Sequence, residues 1–449
     1  MRYATALCLL GVVRVVGAFL NGVSDCDEVF NYWEAIAFGL QTWEWAPEFA
    51  LRSFAFVAPF RLVNSFHGIR VVLGLSSAAA EAALVTASPN PRTLLALLAS
   101  SPGMWTSSTA LLPSSVATTL AFCSHACWIR GNRLGLAVFA AVVATLWCGW
   151  PFVAVVFLPF FADSMVGRPR DSVIFGLLSG LIIIPIAAVD AWFYGGNESP
   201  LLNVVRYNSN GGDELYGVAP ASFYLKNLLL NVNVAVFGLA HKNAAPAMLW
   251  LAVLAARPHK EERFTYPAYA SLYDAAARLP LSFLGPPGVL LGAMRVAALT
   301  KYYNTPQLAI WRAAGRRAAE LGGLSRVCVG AEWHRFTSSF FLPQNAKLEF
   351  VKSDFAGQLP RHWGSNGRFN DRNEEEPDRY VDISTCDLYV DLVVDGLDSN
   401  WTVVASFPFL DAQNTPTLAR AFLIPFYSLK KAKWAQYVLL EPPANSKLS

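Results

Sequence analysis

From residue 3 to about residue 300, the chain is built of apolar runs long enough, or nearly long enough, to cross a hydrocarbon layer of ~30 Å, and no other feature constrains its fold more. Roughly nine to eleven runs meet that criterion, several only marginally. In lipid, backbone N–H and C=O groups must be satisfied within the segment, so the runs are expected to be helices of a polytopic bundle, a mainly α protein. Composition agrees: 449 residues that are 54% hydrophobic and 15% charged are too apolar for an ordinary soluble chain. The net charge of +3 is small and dispersed, with no Lys/Arg patch interleaved with aromatics, so nucleic-acid binding is set aside. The seven cysteines form no CxxC pair and no Cys/His set at zinc spacing. Cys123 and Cys127 lie in an apolar run, where packing is expected. Cys328 and Cys386 lie in the polar C-terminal part and can pair if that part is lumenal; sequence leaves the pairing open.

Against this background, Ser24–Glu48 stands out. It holds Asp25, Asp27, Glu28, Glu34, Glu44 and Glu48 among aromatics, and the chain has no Lys or Arg from residue 22 to residue 51. Residues 1–21 read either as a signal peptide or as a retained first membrane helix. Retention is expected, because cleavage would free the anchor of the acidic loop. Arg14 inside that helix is costly unless it faces the bundle interior. The positive-inside rule then puts residues 22–52 in a lumenal loop. Within it, residues 25–38 read as a short interfacial helix, with Asp25 or Asp27 at its start, where the helix dipole favours an anion. Tyr32, Trp33 and Trp43 are either interface anchors or sugar-stacking rings.

Three later stretches also bear on function. Residues 101–115, SPGMWTSSTALLPSS, are rich in hydroxyls, which either bond to neighbouring helices or border a polar cavity. The polar segment 195–222, with Arg206, is long for a plain connector. Arg257-Pro-His-Lys-Glu-Glu-Arg-Phe264 sets a run of ionisable groups between apolar segments, where they need solvent, phosphate or one another. Beyond residue 300 the composition turns polar, with strand-like stretches at Tyr380–Leu392 and Trp401–Phe409. The expected organisation is a transmembrane domain at 1–300, with the active site in the loop 22–52, and a small α+β lumenal, extramembrane domain at 301–449. Asn197-Glu-Ser199 and Asn400-Trp-Thr402 are glycosylation acceptors by sequence.

Asp25-Cys-Asp-Glu28 with Phe30-Asn-Tyr-Trp-Glu34 and Gln41-Thr-Trp-Glu44, followed by the tract at 257–264, resembles the family 22 glycosyltransferases, membrane mannosyltransferases of GT-C type. The tract Phe369–Ser384 and the DCDE form of the acidic motif point within that family to the endoplasmic-reticulum α-1,2-mannosyltransferases of asparagine-linked glycosylation. The resemblance implies a multi-pass endoplasmic-reticulum membrane protein with a lumenal site. It would move mannose from dolichyl-phosphate mannose to a dolichyl-diphosphate-linked oligosaccharide with inversion, and need no metal or other cofactor. The region after Phe264 is shorter than the resemblance leads one to expect. Two alternatives stand beside this reading: a relative that builds glycosylphosphatidylinositol anchors, and a lipid or sugar transporter. The transporter reading would prefer charges deep in the helices and inverted repeats, and no such repeat is found.

An inverting transfer needs a base on the acceptor hydroxyl. The phosphate leaving group needs no acid but gains from cationic hydrogen bonds. On the resemblance, Asp27 is the expected base, Glu28 its supporting neighbour and Asp25 the runner-up. His259, Lys260, Arg263 and Arg206 are the candidates for phosphate binding, and Tyr32, Trp33 and Trp43 for stacking on sugars.

Overall fold

A computed structural model describes residues 1–196, 198–280, 285–393 and 401–443. The acceptor asparagines Asn197 and Asn400 lie outside them. The chain divides into two compact units, one of Met1–Phe19 with Pro47–Ala293, the other of Leu20–Ala46 with Met294–Ser449. This differs from the expected boundary at residue 300, because most of the acidic loop, residues 20–46, groups with the C-terminal part rather than with the helices that flank it in sequence.

The first unit is helical. Among the described residues, three helices are long and apolar enough to cross a membrane: Tyr3–Leu20, Phe66–Ala87 and Pro169–Tyr194. The number is smaller than the nine to eleven runs expected because most of the others form shorter helices, such as Leu134–Leu146 and Lys242–Ala256. The run expected at 93–112 breaks into Pro91–Ala99 and Pro102–Ser107, each with proline in its first turn, where the missing N–H costs nothing. Arg14 is fully buried, with Nε 2.9 Å and Nη2 2.6 Å from the two Glu81 carboxylate oxygens and Nη2 also donating to the Leu98 carbonyl. A paired charge is what burial in an apolar bundle demands. Basic side chains tie helices of this unit together: Arg130 donates to the Ala83 carbonyl and Arg168 to that of Gly131, while Arg278 donates to Asp274, which also meets His125. Cys127 packs in an apolar cluster with Leu134, Val138 and Phe160, as expected of it.

The second unit carries a five-stranded mixed sheet and, apart from it, a two-stranded ribbon. The strands in chain order are β1 Leu40–Gln41, β2 Ser325–Val329, β3 Ala346–Phe350, β4 Arg361–His362, β5 Leu388–Val393, β6 Thr402–Leu410 and β7 Trp434–Glu441. The sheet order is β3-β2-β5-β7-β6, with β2 parallel to β3 and β5, and β7 antiparallel to β5 and β6. Helix Thr305–Leu321 packs on it through Ile310, Trp311 and Ala314, all buried. Of the strand-like stretches expected, 401–409 is β6, whereas only the end of 380–392 is strand; its first part holds the short turn Ile383–Thr385, capped by Asp382. Cys328 and Cys386 form a disulfide that joins β2 to the residues leading into β5 and closes a segment with a sequence separation of 58.

Candidate active site

The acidic segment folds as an almost continuous helical run. Asp25 caps it, its Oδ1 accepting the Asp27 N–H at 2.9 Å. After the turn Cys26–Glu28 the chain passes through a π-helical stretch, Val29–Trp33, and returns to α-helix at Glu34–Ala37. π-turns insert one extra residue and are frequent at functional sites. The three candidate carboxylates meet different fates. Glu28 is 2% exposed and accepts the Trp33 indole N–H at 2.9 Å, Asp25 holds the cap, and Asp27 is half-buried. Glu28 is thus held by the helix's own indole, while Asp27 keeps a solvent-facing side.

The same unit supplies a second set of restraints. Glu34 is fully buried and accepts three hydrogen bonds, from the Ser339 N–H and hydroxyl at 2.7 Å each and from the Leu40 N–H at 3.0 Å. Burial pushes its carboxyl above the usual range, and those three donors pull against the shift. A side chain on Gly39 would collide with both Glu34 and Ser339, so glycine is required there. β1 pairs antiparallel with β4, Leu40 opposite His362, and the Trp363 N–H donates to the Gly39 carbonyl at 3.0 Å. At the start of the segment, Gln307 donates to the Val23 carbonyl at 2.9 Å. Asn31 accepts from the Thr42 hydroxyl at 2.6 Å.

Two stacking assignments are corrected. Tyr32 and Trp33 are 3% and 0% exposed, so neither offers a ring face to a sugar. The helical run turns this segment into the core of the unit, where Trp33 meets Phe340 edge-on at 5.9 Å. Trp43 stays half-buried and keeps an accessible side. One ligand atom each of Asp25, Cys26 and Asp27 lies within 4.8 Å of the others, the one His/Cys/Asp/Glu group among the described residues with spacing suited to a metal ion.

In the helical unit, the basic tract folds back on itself. His259 Nε2 lies 2.7 Å from Glu261 Oε1, and Arg263 bonds the other Glu261 oxygen, so one carboxylate bridges an imidazole and a guanidinium. Burial would raise the Glu261 carboxyl, but the Arg263 charge and the His259 bond together bring it down to about 2. The bond to Glu261 in turn raises the His259 imidazole. Lys260 is buried and donates to the Arg257 carbonyl. The 195–222 segment joins this tract: His259 Nδ1 meets the Gly217 carbonyl at 3.1 Å, and the Ala219 N–H donates to the Pro258 carbonyl at 3.1 Å. Arg206 is exposed on the last turn of helix Pro200–Ser209, which Arg257 reaches through the Asn208 carbonyl at 3.4 Å. Phe264 packs against Trp150 of the Gly149-Trp-Pro-Phe152 tract.

The hydroxyl-rich tract divides between its two readings. The Ser101 hydroxyl caps Met104 N–H, and Thr118 bonds back to the Ser114 carbonyl. The hydroxyls of Ser108, Ser114 and Ser115 are buried with no hydrogen-bond partner among the described residues. Buried hydroxyls left this way call for a polar occupant.

The profile of the Alg9-like mannosyltransferase family matches residues 5–343. The chain belongs to this family. It is 31% identical to the alpha-1,2-mannosyltransferase ALG9 of Mus musculus, with 97% of this chain and 88% of the relative covered, and 32% identical to that of Homo sapiens at the same coverages. The Schizosaccharomyces pombe protein of that name is 30% identical over 98% of this chain and 95% of its own length. The alignment with the mouse protein runs over 540 positions, more than the 449 residues here, so that relative carries segments this chain lacks. ArnT from Cupriavidus metallidurans, solved bound to undecaprenyl phosphate, gives a TM-score of 0.49 at 12% identity, covering 78% of this chain and 85% of that one.

The chain is therefore a mannosyltransferase of the Alg9-like family, a mainly helical membrane protein with a small sheet-bearing C-terminal part. Within the family motifs the acidic carboxylates were visible in sequence, but Glu34 was not singled out as a site residue. Its signal was present: a carboxylate six residues past Glu28, directly after the aromatic pair Tyr32-Trp33. Ser339 and the β4 segment were missed because only the folded chain brings them to it.

Proposed function

We propose that this mannosyltransferase moves mannose from dolichyl-phosphate mannose to a mannose of a dolichyl-diphosphate-linked oligosaccharide, forming an α-1,2 linkage on the lumenal side of the endoplasmic-reticulum membrane. The observation that carries the reading is the placement of the acidic motif: Glu28 is buried against the Trp33 indole, Asp25 caps the helix, and Asp27 lies half-buried in its first turn. Asp27 takes the proton of the acceptor 2-hydroxyl, and the oxygen attacks the anomeric carbon. The bond from that carbon to the phosphate oxygen breaks, and dolichyl phosphate leaves as an anion. One displacement inverts the β-linked donor to an α-linked product. His259 and Arg263 offset the charge growing on the phosphate. The names borne by the relatives support the α-1,2 linkage. The Cys328–Cys386 disulfide supports a lumenal second unit, since disulfides persist in oxidising compartments. The basic turns at residues 130–133 and 168–170 suit the cytosolic side.

The test is transfer of radiolabelled mannose from dolichyl-phosphate mannose to a truncated lipid-linked oligosaccharide, with the product digested by an α-1,2-specific mannosidase. Label incorporated and then released is the expected result. Transfer only to a glycosylphosphatidylinositol precursor would overturn the pathway. Activity is expected to survive chelator; loss in EDTA, restored by manganese or magnesium, would assign Asp25, Cys26 and Asp27 to a metal instead.

A further inference from the structure

Residues 417–434 lie beyond the part of the chain that matches the family profile, and they present apolar side chains that the second unit does not bury. Phe426 is 89% exposed, Leu429 53%, Leu418 51% and Tyr427 38%. Exposed apolar groups gathered this closely mark an interaction surface. Phe426 is held at φ 63°, in a region that residues other than glycine rarely adopt. Lys430, Lys431 and Lys433 are exposed within the same few residues.

The segment is rigidly mounted. The Ser428 hydroxyl donates to the Phe422 carbonyl at 2.7 Å and accepts the Ile424 N–H at 2.8 Å, which closes a small loop beneath Phe426. The Leu423 N–H donates to the Met294 carbonyl at 2.9 Å, and Arg295 donates to the Ala421 carbonyl at 3.1 Å. Ala432 packs in a cluster with Ala298, Tyr302 and Leu410. The patch is thus fastened to the last turns of helix Gly285–Leu299.

We propose that residues 418–433 are a membrane-surface anchor: Phe426, Leu429 and Leu418 enter the headgroup–acyl boundary of the bilayer, and the three lysines meet lipid phosphates. Apolar rings beside lysines are what that boundary selects, and lysine stems can lie along it with their ammonium groups in the headgroup layer. A protein partner would be the other occupant of such a face, but the three exposed lysines beside the rings favour lipid. The anchor would hold the second unit at the surface where lipid-linked substrates lie. This inference rests on membrane residence and not on which sugar acceptor is used, so a failed transfer assay leaves it standing.

The test places a benzophenone-bearing phenylalanine analogue at position 426 or 429 of the full-length protein in bilayer nanodiscs of defined phospholipid and in native microsomes, with position 372, exposed in the same unit, as control. After irradiation, mass spectrometry is expected to find phospholipid adducts at 426 and 429 and none at 372. Adducts at 426 to another protein would overturn the proposal, as would equal labelling at all three positions or none at any. As a second readout, Phe426→Ser with Leu429→Ser is expected to raise KM for a lipid-linked acceptor about threefold to tenfold with kcat unchanged. Protection of Cys328 and Cys386 from thiol reagents would report that the double variant folds; an unchanged KM in a folded variant would contradict the anchor.

Discussion

The acidic tract and the basic tract are both dense in charge and both flanked by aromatics, yet the fold treats them in opposite ways. In the acidic tract four of the carboxylates have contacts of different kinds: Asp25 caps the helix, Glu28 accepts an indole N–H, Glu34 accepts three donors, and Asp27 is half-buried in the first turn. In the basic tract the charges are joined, with Glu261 bridging His259 and Arg263. Individually sorted charges suit a step in which one group exchanges a proton. Coupled charges suit a step in which a rigid field meets an anion. The difference teaches that charge density alone does not mark a catalytic group; how each charge is satisfied does.

Glu34→Ala should break the sorted side of this comparison most severely. It leaves the Leu40 N–H, the Ser339 N–H and the Ser339 hydroxyl without their acceptor in the core, a loss of about 3 kcal/mol or more. Thermal unfolding in detergent, or trapping of Cys328 and Cys386 by a thiol reagent, would register it. An unaltered melting curve would mean that these bonds do not hold the acidic helix.

Trp33→Phe probes it more finely: an aromatic ring stays in the core, but the indole N–H that Glu28 accepts is lost together with part of the buried volume. A fall in kcat of about tenfold is expected, with KM for the acceptor unchanged. A rise in KM alone would return Trp33 to a sugar-binding role.

The smallest expected effect lies in the coupled tract and concerns pH. The His259 imidazole is raised by its bond to Glu261, so its contribution is complete below the ordinary value of 6.5 and is lost as pH rises through the folded value above it. Glu261 is lowered, so its contribution is present above the ordinary 4.5 and is lost as pH falls toward about 2. The pair is therefore strongest between those ordinary values. Affinity for dolichyl-phosphate mannose should weaken by about threefold as pH rises from 6.5 to the alkaline side, and His259→Gln should flatten that limb. An equally steep limb in the variant would remove His259 from phosphate binding.

Much of this was legible in the sequence, and the limits have physical causes. Apolar runs and the prolines between them forecast a helical bundle, although reading runs rather than breaks overstated how many helices would be long enough to cross. The capped start of the acidic helix followed from Asp25 and the dipole rule. The inward turn of Tyr32 and Trp33 did not, because the π-helical stretch Val29–Trp33 departs from the α-helical spacing on which a periodicity argument rests. Grouping residues 20–46 with the C-terminal part depends on two-residue strands and on Glu34 meeting Ser339, contacts spanning some 300 positions that leave no local pattern. The Cys328–Cys386 pairing was open for the same reason.

The central claim is that Asp27 alone among the sorted carboxylates exchanges the proton. The most direct test measures kcat for mannose transfer in one bilayer preparation with wild type, Asp27→Asn, Asp25→Asn and Glu28→Gln, each with its disulfide verified. A fall of about 10²–10⁴ is expected for Asp27→Asn and a much smaller fall for the other two. A fall confined to Asp25→Asn or Glu28→Gln, with Asp27→Asn near wild type, would contradict it.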